Sequence, residues 1–445
     1  MGKGQTRKNY LRALWLVGLL SAYSSPFTPA HSFVPVHATT IDSASLVSVA
    51  TRAGRLAVFD DAWERINERY YDRRFHGLDW DAQRLTLRSL AGDAGSSQEL
   101  YAILRRMIAP LNDPHTRVFA PEEKSDWWRP RFVSAGVGIA EVQGLPTVVQ
   151  VEHNSAAQRA GLRAGDVIET VDGAAARSVI DSRMVNLNAT ASERFRIFAK
   201  LLEGPPETAV ALVWRSRTGK ERSARVERHW EQRDLGVRTR RERDVVVIEL
   251  DAFTKPIAAA FGRDFKKITN GARGVILDLR RNGGGDAEAM TDIASSFLAT
   301  DLSLGQFADR FGAGFSMTTH SRSLFSPNLI AQTNLPLIVL ISERTSSAAE
   351  IFVAALKASG RARLLGTETC GCVLAVRTRH ELPDGGLLDI SEMDYLTAAG
   401  QHLEGHGIKP DEIVTIERSD LYSGRDRALN LALQRLKDFP LDQRN

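Results

Sequence analysis

From Asp244 onward, short apolar runs alternate with longer segments of helical period, and few architectures accept that order. Val245–Leu250, Val275–Leu279, Leu335–Ile341 and Ala362–Gly366 are predicted strands. Between them Pro256–Ile268, Asp286–Leu298 and Ser347–Ala358 are predicted helices. Strands separated by helices must cross over and run parallel, so the segment specifies an α/β core with a mainly parallel sheet. A β-hairpin follows, with arms Leu374–Leu382 and Leu387–Tyr395 joined by Pro383-Asp384-Gly385-Gly386.

Upstream the pattern changes twice. From Leu46 to Met107 it is helical, with Val58, Phe59, Ala62, Trp63, Ile66 and Tyr70 at three- and four-residue spacing, then Leu85, Leu87, Leu90, Leu100, Ile103 and Leu104. Turn chemistry fills Ala109 to Pro130, including Asn112-Asp113-Pro114-His115-Thr116 and the aromatic pair Trp127-Trp128, for which packing is the default reading. From 133 to 228 short β-type runs dominate: Val133–Val142, Thr147–Val151, Val167–Val171, Ala209–Trp214 and Arg222–Val226. The divisions expected are 1–38, 44–130, 131–228 and 229–445.

The chain has 445 residues, 58 Lys plus Arg against 54 Asp plus Glu, and two cysteines, which excludes a disulfide-stapled miniprotein and a disordered chain. Its basic surplus sits at the front. Lys3, Arg7, Lys8 and Arg12 are the only charged residues among the first 38, so the basic and acidic residues after them balance at 54 each. The four precede a short apolar run, Ala13–Ala22, and small-residue sites at Ala22, Ala30 and Ala38. This is the order of a secretory signal peptide, with secretion or a periplasmic location implied. A neutral body offers no stripe for nucleic acid, and no later segment is apolar for the length of a membrane span.

Two motifs fall at strand-to-helix junctions of the α/β core, where open sheets place their sites. One is Asp278-Leu279-Arg280-Arg281-Asn282-Gly283-Gly284-Gly285, whose glycine amides can approach a ligand bearing developing negative charge. The spacing excludes a phosphate loop. The other is Ser342-Glu343-Arg344-Thr345-Ser346-Ser347-Ala348-Ala349-Glu350, which brings hydroxyls to a helix N-terminus. Such a hydroxyl serves equally as nucleophile or as N-cap, and position alone does not separate the two. Upstream, Asn154 to Gly173 reads as a short helix ended by Gly161, a turn, a buried strand and a second turn. It resembles the PDZ domain, with Gly136-Val137-Gly138-Ile139 resembling that fold's carboxylate-binding loop.

Taken together, the PDZ-like segment, D-L-R-x-N-G-G-G, the apolar strand, S-S-A-A-E-I, G-T-E-T-x-G and Gly407-Ile408-Lys409-Pro410-Asp411 resemble the C-terminal processing peptidases of the S41 family. The resemblance implies an S41-type (ClpP/crotonase-like) α/β core with an inserted PDZ-like β domain and a helical N-terminal region. It implies a serine endopeptidase acting on exported polypeptides and reading their C-termini, with no metal or organic cofactor. The nucleophile maps to Ser347 and the oxyanion donors to the amides of Gly284 and Ala348.

The resemblance breaks at the general base. The family lysine position is Cys372, and the residue that supports it is Val376. In the tricorn-like branch a histidine near the end of the helical region replaces that lysine, and His115 maps there; an imidazole is a suitable base near neutral pH. Cys372 acting as a thiolate, and a silent peptide-binding protein of the same fold, are the alternatives. In an extended strand Cys370 and Cys372 would point to one face, near the upper Cα separation for a disulfide.

Overall fold

The computed structural model describes residues 46–123, 126, 131–184, 190–325 and 329–438. The expected signal segment and Trp127-Trp128 lie outside them. Three helices come first: α1 (Arg52–Arg69), α2 (Trp80–Asp93) and α3 (Ser97–Ile108). Thr51 and Ser96 cap α1 and α3 by accepting from the amides of Gly54 and Glu99. Val58, Phe59, Ala62, Trp63 and Ile66 form the buried stripe of α1. In α2 the apolar spacing misleads: Leu87 is buried, while Leu85 is 84% exposed. Residues two apart lie about 200° around a helix and cannot share a face.

A second core belongs to a six-stranded antiparallel sheet at residues 137–227. Its main strands are β1 (Val137–Val142), β2 (Leu145–Val151), β3 (Val167–Val171), β4 (Ala209–Arg215) and β5 (Glu221–Glu227), in that spatial order. The predicted run Val133–Val142 is broken before β1, and its first two residues belong to a separate strand, Arg131–Ser134, that pairs with His229–Gln232. Helices α4 (Ala156–Arg159), α5 (Ala176–Met184) and α6 (Ala191–Ala199) complete the unit. β1 is an edge strand, and the Glu141–Arg194 ion pair (2.6 Å) joins it to α6.

The third layer system is built on β6 (Val237–Glu242), β7 (Val245–Leu250), β8 (Gly274–Asp278), β9 (Leu337–Ile341), β10 (Arg363–Gly366) and β11 (Glu412–Ile413), ordered as in the chain. All neighbours except β6 and β7 are parallel. Side chains alternate between two faces, as the two-residue strand period requires. Val246, Ile248 and Leu250 pack with α7 (Lys255–Thr269), α8 (Ala287–Ala294) and α9 (Ala348–Ala358). Val245 and Val247 face α10 (Arg427–Asp438), a helix that the apolar alternation does not announce.

One more sheet joins distant parts of the chain. The long strand Leu387–Leu396 pairs antiparallel with Ala375–Glu381, with Ser303–Asp309 and with Arg117–Phe119. The last pairing matches Arg117 to Asp389 and Phe119 to Leu387. Leu382, Leu388 and Ile390 are buried in the same cluster as the three N-terminal helices. The turn carrying His115 is thereby anchored against the α/β core.

Candidate active site

β8 and β9 are adjacent and parallel, with Asp278 opposite Leu340, so their carboxyl ends lie side by side. Each continues into one of the two junction loops. Ser342 Oγ donates to the Arg280 carbonyl (2.7 Å), Thr345 Oγ1 to the Leu279 carbonyl (2.8 Å), and the Ser346 amide to the Asn282 carbonyl (3.1 Å). These bonds set the glycine turn against the start of α9. At Gly284, φ is +91°, and a Cβ there would stand 2.6 Å from the Ser347 Cβ and 3.0 Å from the Ala348 nitrogen. Only glycine allows that approach.

Ser347 precedes α9 with φ 56° and ψ −129°. An N-cap residue is ordinarily extended, as Thr51 and Ser96 are here, and a positive φ in serine costs energy that the surroundings must supply. They do so through the Ser347 amide, which donates to the Cys372 carbonyl (2.8 Å) and to Glu350 Oε2 (3.2 Å). Glu350 also accepts from Thr369 Oγ1 (2.6 Å) and the amides of Gly371 (2.7 Å) and Cys372 (2.9 Å). Burial pushes its carboxyl up to about 7 against the pull of those bonds. Ala348, the first helical residue, has an amide with no partner inside the helix.

The expected donor Gly284 is otherwise engaged, because its amide donates to the buried Asn282 Oδ1 (2.8 Å). The pairing of Gly284 and Ala348 as oxyanion donors is therefore not formed in this arrangement. Asn282 Nδ2 is buried without a partner among the described residues.

His115 and Ser347 line one cleft of about 540 Å³, with Gly283, Gly284, Gly285 and Ala348 on the same wall and Ile351, Leu374, Phe307 and Met393 supplying an apolar lining. The His115 side chain is 20% exposed, and its Nδ1 lies 3.7 Å from Asp113 Oδ1. That nitrogen is buried without a hydrogen bond among the described residues. Burial works to raise Asp113, but His115 and the hydroxyls of Ser391 and Thr116 hold it below the usual carboxylate range. A second carboxylate, Glu404, was not singled out in the sequence. It accepts from the amides of Val373 (2.6 Å) and Leu374 (3.1 Å), and burial pushes it up to about 7 while the nearby His115 charge pulls it down. A glutamate in a glycine-rich loop carries no local signal that would have found it. His402 and His406 are exposed, and bond Asp394 and the Glu404 carbonyl.

Cys372 cannot serve as a thiolate as placed, because it is joined to Cys370 by a disulfide. The extended geometry expected for this pair is corrected by Gly371, whose φ of +68° turns the chain and brings the two Cα atoms to 5.2 Å, inside the usual range. Ser192 Oγ of α6 lies 3.1 Å from Cys370 Sγ, and Arg196 of the same helix lies 3.6 Å from Cys372 Sγ. The Gly136-Val137-Gly138-Ile139 loop leads into edge strand β1, where the Gly136 amide donates to Ser134 Oγ (2.8 Å). Among the described residues no group of three or more His, Cys, Asp or Glu side chains is arranged to hold a metal ion, and no helix is long and apolar enough to cross a membrane.

Comparison with known proteins matches three parts of the chain. Residues 244–414 match the model of peptidase family S41, residues 51–109 the tricorn protease C1 domain, and residues 147–196 a PDZ domain. The carboxyl-terminal-processing protease of Picosynechococcus sp. is 28% identical over 377 residues, covering 80% of this chain and 82% of that protein. Carboxyl-terminal-processing peptidase 1 of Arabidopsis thaliana, chloroplastic, is 27% identical over 372 residues, covering 80% and 71%. Among solved structures, mature CPAF complexed with lactacystin aligns with a TM-score of 0.66 at 15% identity, over 87% of this chain and 99% of that one. The photosystem II D1 C-terminal processing protease aligns at 0.52 and 24% identity, over 82% and 93%. These two share the fold.

Proposed function

We propose that the chain, whose residues 244–414 match peptidase family S41, is a serine endopeptidase of exported polypeptides working through a Ser347–His115 pair. The observation that carries the reading is the conformation of Ser347, held at positive φ at a helix start in the cleft that His115 also lines. Ser347 Oγ attacks the scissile carbonyl carbon and its proton passes to the His115 ring. The same proton then goes to the leaving amine as the C–N bond breaks, and water repeats the sequence to release the acyl group. Asp113, 3.7 Å from His115 Nδ1, orients the ring, and the charge of Glu404 adds to the stabilisation of its cationic form. The Ala348 amide holds the oxyanion from the helix side. Gly284 joins it once Asn282 releases its amide.

The PDZ-like unit receives a chain terminus at Gly136, Val137, Gly138 and Ile139, with the peptide adding along the edge of β1. The basic-then-apolar order of residues 1–38 supports export to the periplasm or beyond, as does a disulfide between the two cysteines. The bond between Gly284 and Asn282 favours one rival, a silent peptide-binding protein. A fluorophosphonate probe separates the two readings. Covalent labelling mapped to Ser347, and lost in Ser347→Ala, is expected of the peptidase; no labelling under conditions where peptides bind contradicts it.

A further inference from the structure

Beside the cleft of Ser347 lies a second one of about 340 Å³ that shares His115, Arg117, Arg233 and Gly283 with it and is lined further by Ser346 and the Cys370–Cys372 disulfide. Five guanidinium groups converge on it from separate parts of the chain. Arg117 follows the His115 turn, Arg196 comes from α6, Arg233 from the segment before β6, Arg281 from the glycine turn and Arg344 from the serine loop. Glu343 is the single acid on this lining, and it accepts from Thr367 Oγ1 (2.7 Å).

Two of the five are neutralised elsewhere, Arg117 by Asp389 (3.4 Å) and Arg233 by Asp251 (3.3 Å). For Arg196, Arg281 and Arg344 no carboxylate lies within ion-pair distance among the described residues. Arg344 instead sits over the ring of Phe195, 5.6 Å from its centre. Burial, and then repulsion from Arg233 and Arg281, bring Arg344 down to about 10. Like charges gathered in a half-desolvated cleft repel one another, and an anion that enters relieves that repulsion while pairing with planar guanidinium forks. A carboxylate is the anion of this kind that a polypeptide itself carries.

We propose that this cleft is a carboxylate-binding subsite that selects polypeptides carrying a carboxylate, either an Asp or Glu side chain or the chain terminus, within a few residues of the bond Ser347 attacks. The proposal rests on the peptidase reading and names its substrate class. Arg281 and Arg344 carry the recognition because each sits in one of the two junction loops and neither is held by a carboxylate. Neutral peptides of the same length lack the group that would relieve the cluster.

The test uses the full chain and internally quenched peptides in matched pairs. In one series a single Asp or Glu is exchanged for Asn or Gln at each position around the cleavage site, with the C-terminus amidated. In the other the terminus is a free acid or an amide. The acidic member of one pair is expected to have at least a 10-fold higher kcat/KM, and the position of that pair tells side chain from terminus. The preference should shrink as salt is raised. Arg281→Gln with Arg344→Gln should bring the acid-to-amide ratio within about 2-fold, and Arg344→Lys should restore part of it. Equal cleavage within every pair overturns the subsite and leaves the peptidase reading standing. If no peptide is cleaved, the peptidase reading fails, and the pairs are compared by binding to the Ser347→Ala protein. A 10-fold affinity preference lost in the double arginine variant then supports the carboxylate site, and equal affinities overturn it.

Discussion

At the scale of single residues, the site depends on groups whose charge is set by burial. Glu404 is pushed up to about 7, first by burial, while the His115 charge works the other way. Ionised, it stabilises an imidazolium; protonated, it does not. Peptide kcat/KM should therefore rise with pH through an acid limb near 7. Because His115 must itself be neutral to accept the serine proton, Glu404→Gln should make that limb shallower, leaving one protonation where there were two, and lower kcat on the order of 10²- to 10⁴-fold, read from pH–rate profiles of the two proteins. An unchanged acid limb in the variant would assign it to another group. Ser347 is singled out in the sequence by its motif, but the motif does not state the backbone angle on which its reading as nucleophile or cap depends. Glu404 was illegible for a different reason: its electrostatic link to His115 is made by folding across 289 residues of the chain.

At the scale of elements, α9 and the 369–372 loop are joined through one buried carboxyl. Glu350 has a folded value of about 7 against an ordinary value of 4.5. Between those values the unfolded chain releases its proton and the folded chain keeps it, so this group makes the fold less stable as pH rises across the interval, by up to roughly 3 kcal/mol. Thermal melts across that window should show the decline. Glu350→Gln should flatten it, and should also lower Tm throughout, because a Gln amide nitrogen cannot accept from the amides of Gly371 or Cys372. A variant with the wild-type slope would contradict the assignment. The apolar alternation located β7, β8, β9 and β10 to within a residue or two, since buried parallel strands are continuous apolar runs. β6 was not legible: as an edge strand its Val237–Glu242 segment is mostly charged, with Arg238 paired to Asp251. The oxyanion donors were mapped by motif alone, and a motif does not reveal that the Asn282 side chain takes the Gly284 amide.

At the scale of the whole molecule, the proposed catalytic pair is assembled from separate parts of the chain. Ser347 belongs to the α/β core, while His115 ends the helical region and is brought over by the pairing of Arg117–Phe119 with Leu387–Leu396. The unit that resembles a PDZ domain reaches the same place, since Ser192 and Arg196 of α6 touch the Cys370–Cys372 disulfide. The order of the three parts was visible in composition and period. Their convergence was not, because it depends on strand pairings some 270 residues apart. The proposed role of His115 as the general base depends on that convergence. Its most direct test is the kcat/KM of His115→Ala on an unstructured peptide, in a protein shown by thermal melting to be folded. A fall of 10³-fold or more, on the order expected for loss of the general base, is the predicted result; cleavage at the wild-type rate would contradict it.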